Sequence, residues 1–85
     1  MYYFVEKMTI TGGGIMRVSY KKLWIKLAEK EMSKADLRKI IDIAPSTMTK
    51  LNKNEIVSLS VLVKICNELR CYIGDIMDVV QVKSV

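Results

Sequence analysis

The sequence contains no histidine. That removes the side chain most often used for proton transfer near neutral pH, and with it the commonest metal ligand. Catalysis without it needs clustered carboxylates or an activated Lys, Ser or Cys, and no such cluster stands out. An enzyme is not expected, nor is a cofactor or a metal site. Cysteine is scarce, with Cys66 and Cys71 the two present. Two thiols without histidine fall short of a structural zinc site. On one helix a five-residue spacing puts them on different faces, which disfavours a disulfide. They read as small, reduced packing residues suited to the cytoplasm. No apolar run approaches the ~20 residues that span a bilayer, and the N-terminus lacks the basic start and continuous apolar stretch of a signal peptide. Neither a membrane nor a small-molecule ligand is expected as a partner.

Eighty-five residues suffice for one domain with a modest core. The formal net charge is +5, and its placement is uneven. Residues 1–15 carry Glu6 against Lys7, and residues 58–85 carry Lys64, Arg70 and Lys83 against Glu68, Asp75 and Asp78. The whole excess lies in residues 16–57. There Arg17, Lys21, Lys22, Lys26, Lys30, Lys34, Arg38, Lys39, Lys50 and Lys53 face Glu29, Glu31, Asp36, Asp42 and Glu55. A one-sided basic region suits a polyanion partner, although a solvated lysine-rich surface has the same composition.

Residues 2–10, rich in aromatic and β-branched side chains, read as a strand, and Gly12, Gly13 and Gly14 end it. A first helix is predicted from Tyr20 to Met32, capped by Ser19, with Leu23, Trp24, Leu27 and Ala28 as its apolar stripe. Ser33 and Asp36 match a capping box opening a second helix, whose buried face is Leu37, Ile40 and Ile41. Asp42 and Ile43 make the turn. A third helix starts near Pro45, the one proline, with Met48 and Leu51 inward and Asn54 ending it left-handed. Ser58 or Ser60 caps a fourth helix carrying Leu62, Ile65, Cys66 and Leu69. A fifth is predicted from Gly74 to Val80. The tail Val79–Val82 is β-branched and suited to pairing with strand 2–10, within one chain or between two.

Lys34 to Lys53 carry the functional signal. Two short helices joined by a tight turn must cross steeply, which requires apolar residues at fixed offsets. Leu37, Ile41, Ile43, Met48 and Leu51 supply them. The outer face of the second of these helices is then small, polar and basic, as entry into a major groove requires.

The stretch MSKADLRKIIDIAPSTMTKLNKNEIVSLSVLVKICNELRCYIGDIM resembles the phage-repressor/Cro-like (XRE-type) helix-turn-helix family, and in particular short bacterial regulators with a KLxKNE segment after the recognition helix. The resemblance spans roughly residues 16–80. It implies an all-α, five-helix repressor-like DNA-binding domain with a short N-terminal strand or extension. Residues 1–15 are the extension and glycine linker, 16–80 the domain and 81–85 a tail. Three departures stand out: Arg38 replaces the usual Ala, Asp42 the usual turn Gly, and Lys34 the usual Gln. Asp tolerates a left-handed backbone, and Arg38 must run its stem outward.

Position by position, the resemblance implies that Lys34 and its helix N-terminus clamp a phosphate. Pro45, Ser46, Thr47, Thr49 and Lys50 face base edges, with Lys50 suited to guanine and the threonine methyls to thymine. Lys53 and Arg17 contact the backbone. The expected function is a cytoplasmic, sequence-specific transcriptional regulator, binding double-stranded DNA as a homodimer. The alternative is a protein-interaction module, antitoxin-like or an accessory subunit, on the same fold. Met16-Arg17-Val18-Ser19-Tyr20 resembles the natural start of such regulators, and glycine codons just upstream would read as a ribosome-binding site. Residues 1–15 are therefore either an upstream extension or a strand.

Overall fold

The structure, a computed structural model, describes residues 15–82. The strand read at 2–10 lies outside them. Strand β1 (Ile15–Ser19) is followed by helices α1 (Lys21–Glu29), α2 (Lys34–Ile41), α3 (Pro45–Asn52) and α4 (Leu59–Leu69). A 3₁₀ turn at Ile73–Asp75 then leads into strand β2 (Asp78–Val82). The described residues thus hold four α-helices and a two-stranded sheet, where five helices were expected. β1 and β2 pair antiparallel, with Arg17 opposite Val80 and Val18 opposite Val79. The segment read as a fifth helix goes instead into the 3₁₀ turn and β2. Helical spacing was present there, but the β-branched run Val79-Val80 has a strand beside it to pair with, and Ile76 is already buried ahead of it.

The core is one cluster. Tyr20, Leu23 and Leu27 come from the start of the domain, and Leu37, Ile41, Ile43, Met48 and Leu51 from the α2–α3 unit. Leu62, Ile65 and Leu69 of α4, and Ile76 after the 3₁₀ turn, close it. α2 packs against both α3 and α4. Two stripe assignments need correction: Ile40 is 50% exposed, and Ala28 is exposed too. Each stripe is narrower than its apolar residues suggest, because each of these two helices buries one edge only.

Helix starts follow the sequence closely for α2, α3 and α4. The Ser33 hydroxyl accepts from the Asp36 N–H and the Asp36 carboxylate accepts from the Ser33 N–H, a complete capping box. Pro45 sits in the first turn of α3 and Ser58 caps α4. α1 differs, since its N-cap is Tyr20 rather than Ser19. Tyr20 is held by its ring and its polar ends. The side chain is 1% exposed. Its N–H donates to Asn54 Oδ1 at 3.0 Å and its hydroxyl to the Glu55 carbonyl at 2.8 Å. Burial pushes the phenol above its ordinary pKa, a nearby Val57 backbone hydrogen bond opposing this.

All four helices end on a left-handed residue followed by a six-to-one hydrogen bond. Glu31, Asp42, Asn54 and Arg70 take the left-handed backbone, with φ between 54° and 57°. Beyond each, an N–H returns to the carbonyl five residues earlier: Met32 to Leu27, Ile43 to Arg38, Glu55 to Lys50 and Cys71 to Cys66, at 2.9–3.3 Å. This six-to-one bond is that of the Schellman closure. The left-handed residue's own N–H completes it in α1 and α3 (Glu31 to Ala28, Asn54 to Leu51), and in α2 and α4 shares the same carbonyl (Asp42 to Arg38, Arg70 to Cys66), so that carbonyls the helix leaves without partners are satisfied. It usually takes glycine. Gly74 is the one glycine among the described residues, so these four caps are built from side-chain-bearing residues. The closure of α1 also sets its boundary at Glu29, short of the expected Met32. At α4 the turn-back means that Cys66 and Cys71 do not lie on different faces of one helix.

Two outcomes follow for stability. Leu51 is fully buried between the motif helices. Leu51→Ala is expected to destabilise the fold by ~2–5 kcal/mol, read by chemical denaturation, and an unchanged midpoint would remove Leu51 from the core. A left-handed residue other than glycine carries a steric cost of roughly 1–2 kcal/mol. Glu31 is exposed, so Glu31→Gly relieves that cost without opening a cavity. Its thermal midpoint is expected to rise, by an amount equivalent to ~0.5–1 kcal/mol once the extra freedom of unfolded glycine is subtracted. A fall would contradict the assigned backbone.

Candidate nucleic-acid interface

α2 and α3 are eight residues each, and the turn between them is short because Asp42 reverses the chain within one residue. Its N–H and that of Ile43 both return to the Arg38 carbonyl. Ile43 then drops into the core, and Pro45 starts the next helix. Arg38 is half-buried, consistent with an apolar stem lying along the helix pair. With Met48 and Leu51 turned inward, the opposite face of α3 is left to solvent.

That face is chemically uniform. Ser46, Thr49, Lys50 and Lys53 stand three or four positions apart, hence on one side of the helix, and all are exposed. Pro45 is exposed at its start. Thr47 is half-buried, so it faces the edge of this surface rather than its centre. The Thr49 hydroxyl donates to the Pro45 carbonyl at 3.1 Å, which commits its polar end to the helix. Lys50 and Lys53 supply the cationic ends. Arg17 stands apart from this group, exposed on β1 opposite Val80.

Lys34 is more engaged than its expected role implied. Its ammonium lies 4.1 Å from the centre of the Trp24 ring and donates to Asn52 Oδ1 at 2.7 Å. One side chain at the first position of α2 thus touches α1 and the last residue of α3. Trp24 is half-buried, in line with a packing role, but its ring also has this cationic neighbour. Asn52 is the residue that sequence reading missed. Eighteen positions separate it from Lys34, and no local spacing connects them. At the same helix start, hydrogen bonds from the Ser33 backbone and then its side chain hold the Asp36 carboxylate below its ordinary pKa, opposed by slight desolvation and helped by nearby Lys39. Asp36 therefore stays charged, and this N-terminus carries an anion of its own beside Lys34.

The basic excess is also partly spent on the fold. Lys22 Nζ pairs with Asp78 Oδ1 at 3.0 Å and donates to the Gly74 carbonyl at 3.1 Å, tying α1 to the 3₁₀ turn and β2. Among the described residues there is no cluster of three metal-ligating side chains, and no helix is long and apolar enough to cross a membrane.

Two adjoining short helices with a left-handed turn, an inward apolar edge and an outward polar-basic face define a helix-turn-helix unit. The family model of the Cro/C1-type HTH DNA-binding domain matches residues 22–81. Among solved structures, one described as the crystal structure of the transcriptional regulator VanUg, Form II, is similar at 44% identity and a TM-score of 0.78, over 92% of this chain and 100% of that one. No curated protein matches. The chain belongs to the Cro/C1-type helix-turn-helix DNA-binding family.

Lys34→Ala uncovers one face of the Trp24 ring and removes an exposed cation–π contact of about 0.5–1 kcal/mol. Tryptophan emission in that variant is expected to become more accessible to a dissolved quencher, with the fold retained. Unchanged quenching would show that the ammonium does not shield the ring.

Proposed function

We propose that this protein is a sequence-specific transcriptional regulator that lays α3 in the major groove of double-stranded DNA. The observation that carries the reading is the outward face of α3, where Ser46, Thr49, Lys50 and Lys53 are exposed together without a large apolar residue among them. Such a face offers hydrogen bonds, a methyl and positive charge, which base edges and phosphates accept. A protein partner would find little apolar area there to bury. Family membership supports DNA binding, and the similarity to a transcriptional regulator supports regulation.

Within this reading Lys50 is the long donor among Pro45, Ser46, Thr47, Thr49 and Lys50 and the main reader of guanine. Ser46 and Thr49 contact bases close to the helix, and Pro45 and Thr47 border them. Lys53 and Arg17 hold phosphates. Lys34 contributes charge at the start of α2 through an ammonium that also braces Trp24 and Asn52. The protein acts in the cytoplasm as a homodimer on a two-fold site, with half-sites about 10 base pairs apart.

A second reading, a protein-interaction module, draws on the apolar residues exposed on and around α4. Leu59 is 66% exposed, and Ile56, Val63 and Tyr72 are exposed with it. None of these residues belongs to the outward face of α3, and a regulator has use for both surfaces.

Selection of bound duplexes from a random pool tests the assignment. Lys50→Ala is expected to lose information at one position in each half-site and keep it elsewhere, at a cost of ~1–3 kcal/mol for the preferred site. A mutant site identical to the wild-type site removes Lys50 as a reader. Failure of the wild-type protein to select any site removes the regulator reading and leaves the interaction module.

A further inference from the structure

The Schellman turn that ends α4 folds Cys71 back onto the last turn of the helix. Arg70 takes the left-handed backbone, and the Cys71 N–H donates to the Cys66 carbonyl at 3.1 Å. Cys66 and Cys71 thereby occupy the two positions of this motif whose side chains ordinarily touch through apolar groups. Here both are thiols. Each is half-buried and unlinked, and both line one open cleft beside Val63, Asn67 and Tyr72. The cleft admits a small molecule to the sulfurs.

We propose that Cys66 and Cys71 are an intramolecular disulfide site, closed reversibly by exchange with a small-molecule disulfide. The backbone bond between the two residues holds their side chains together before any oxidant arrives, so ring closure needs little further ordering. Burial, and then the neighbouring Cys71 thiol, push the Cys66 thiol above its ordinary pKa. That direction favours Cys71 as the first nucleophile and Cys66 as the resolving thiol. The Cys71 thiolate attacks one sulfur of the reagent disulfide, forming a mixed disulfide and expelling one reagent thiolate. Cys66 then gives up its proton and its sulfur attacks the Cys71 sulfur, expelling the second reagent thiolate, which takes up a proton. The protein loses two hydrogens, and one reagent disulfide becomes two thiols. This site is independent of the DNA-binding reading and uses none of its residues.

The test equilibrates the full chain with oxidised and reduced glutathione, quenches with acid, and measures intact mass, once folded and once unfolded in urea. The folded wild-type chain is expected to lose the mass of two hydrogens, to carry no glutathione and to remain uncrosslinked to a second copy. Cys66→Ser is expected to accumulate a single glutathione adduct on Cys71. The closure constant is expected to be larger in the folded chain than in urea by about tenfold or more, equivalent to roughly 30 mV. That comparison needs no variant. A folded wild-type chain that stops at the mixed disulfide, links to a second copy, or closes no more readily than the unfolded chain overturns the proposal.

Discussion

Four left-handed residues set the shape of this domain. Glu31, Asp42, Asn54 and Arg70 each stop a helix within one residue and send the chain back across it. Without such closures, helices of eight to eleven residues would fray, since short helices are marginal in water and rely on neighbours. With them, α2 and α3 stay short, cross steeply, and expose one face each. The Asp42 closure matters most for the interface, because it fixes where α3 points. The Asn54 closure does a second job: the same side chain accepts the Tyr20 N–H, and the next carbonyl accepts the Tyr20 hydroxyl. The end of α3 is thereby locked to the start of α1.

The inner and outer faces of α3 then follow from one another. Met48 and Leu51 must be buried to hold the helix, so Ser46, Thr49, Lys50 and Lys53 must face out. Lys34 braces the arrangement from the side, with Trp24 below its ammonium and Asn52 beside it. Neighbouring cations do not all serve the same end, as the Lys22–Asp78 pair shows. Net charge therefore indicates the class of partner, while position on the fold decides which charges are left for it.

Much of this was legible in the sequence where a local rule applied. The Ser33–Asp36 capping box, Pro45 at a helix start, and Asp42 and Asn54 at helix ends are signals carried by the residues themselves. Glu31 and Arg70 gave no such sign, because neither residue type favours a left-handed backbone. The β-branched tail Val79–Val82 was readable as an extended segment, but the fifth helix was drawn through Val80 and the partner sought at 2–10, whereas the tail pairs with β1, more than sixty residues earlier. Periodicity cannot reveal a partner at that distance. Ile40 shows the same limit on a smaller scale, since its apolar character says nothing about which edge of α2 meets α4. Of the candidate site, the shared face of Ser46, Thr49, Lys50 and Lys53 was readable from spacing. The contacts of Lys34 with Trp24 and Asn52 were not.

The central claim is that the exposed face of α3 reads the major groove. Duplexes altered one atom at a time test it most directly, starting from a selected site. Replacing its guanines with 7-deazaguanine removes an acceptor on the major-groove edge, and replacing them with inosine removes the amino group on the minor-groove edge. The account predicts weaker binding to the first duplex and unchanged binding to the second. Full affinity for the 7-deazaguanine duplex, with loss on the inosine duplex, would contradict it.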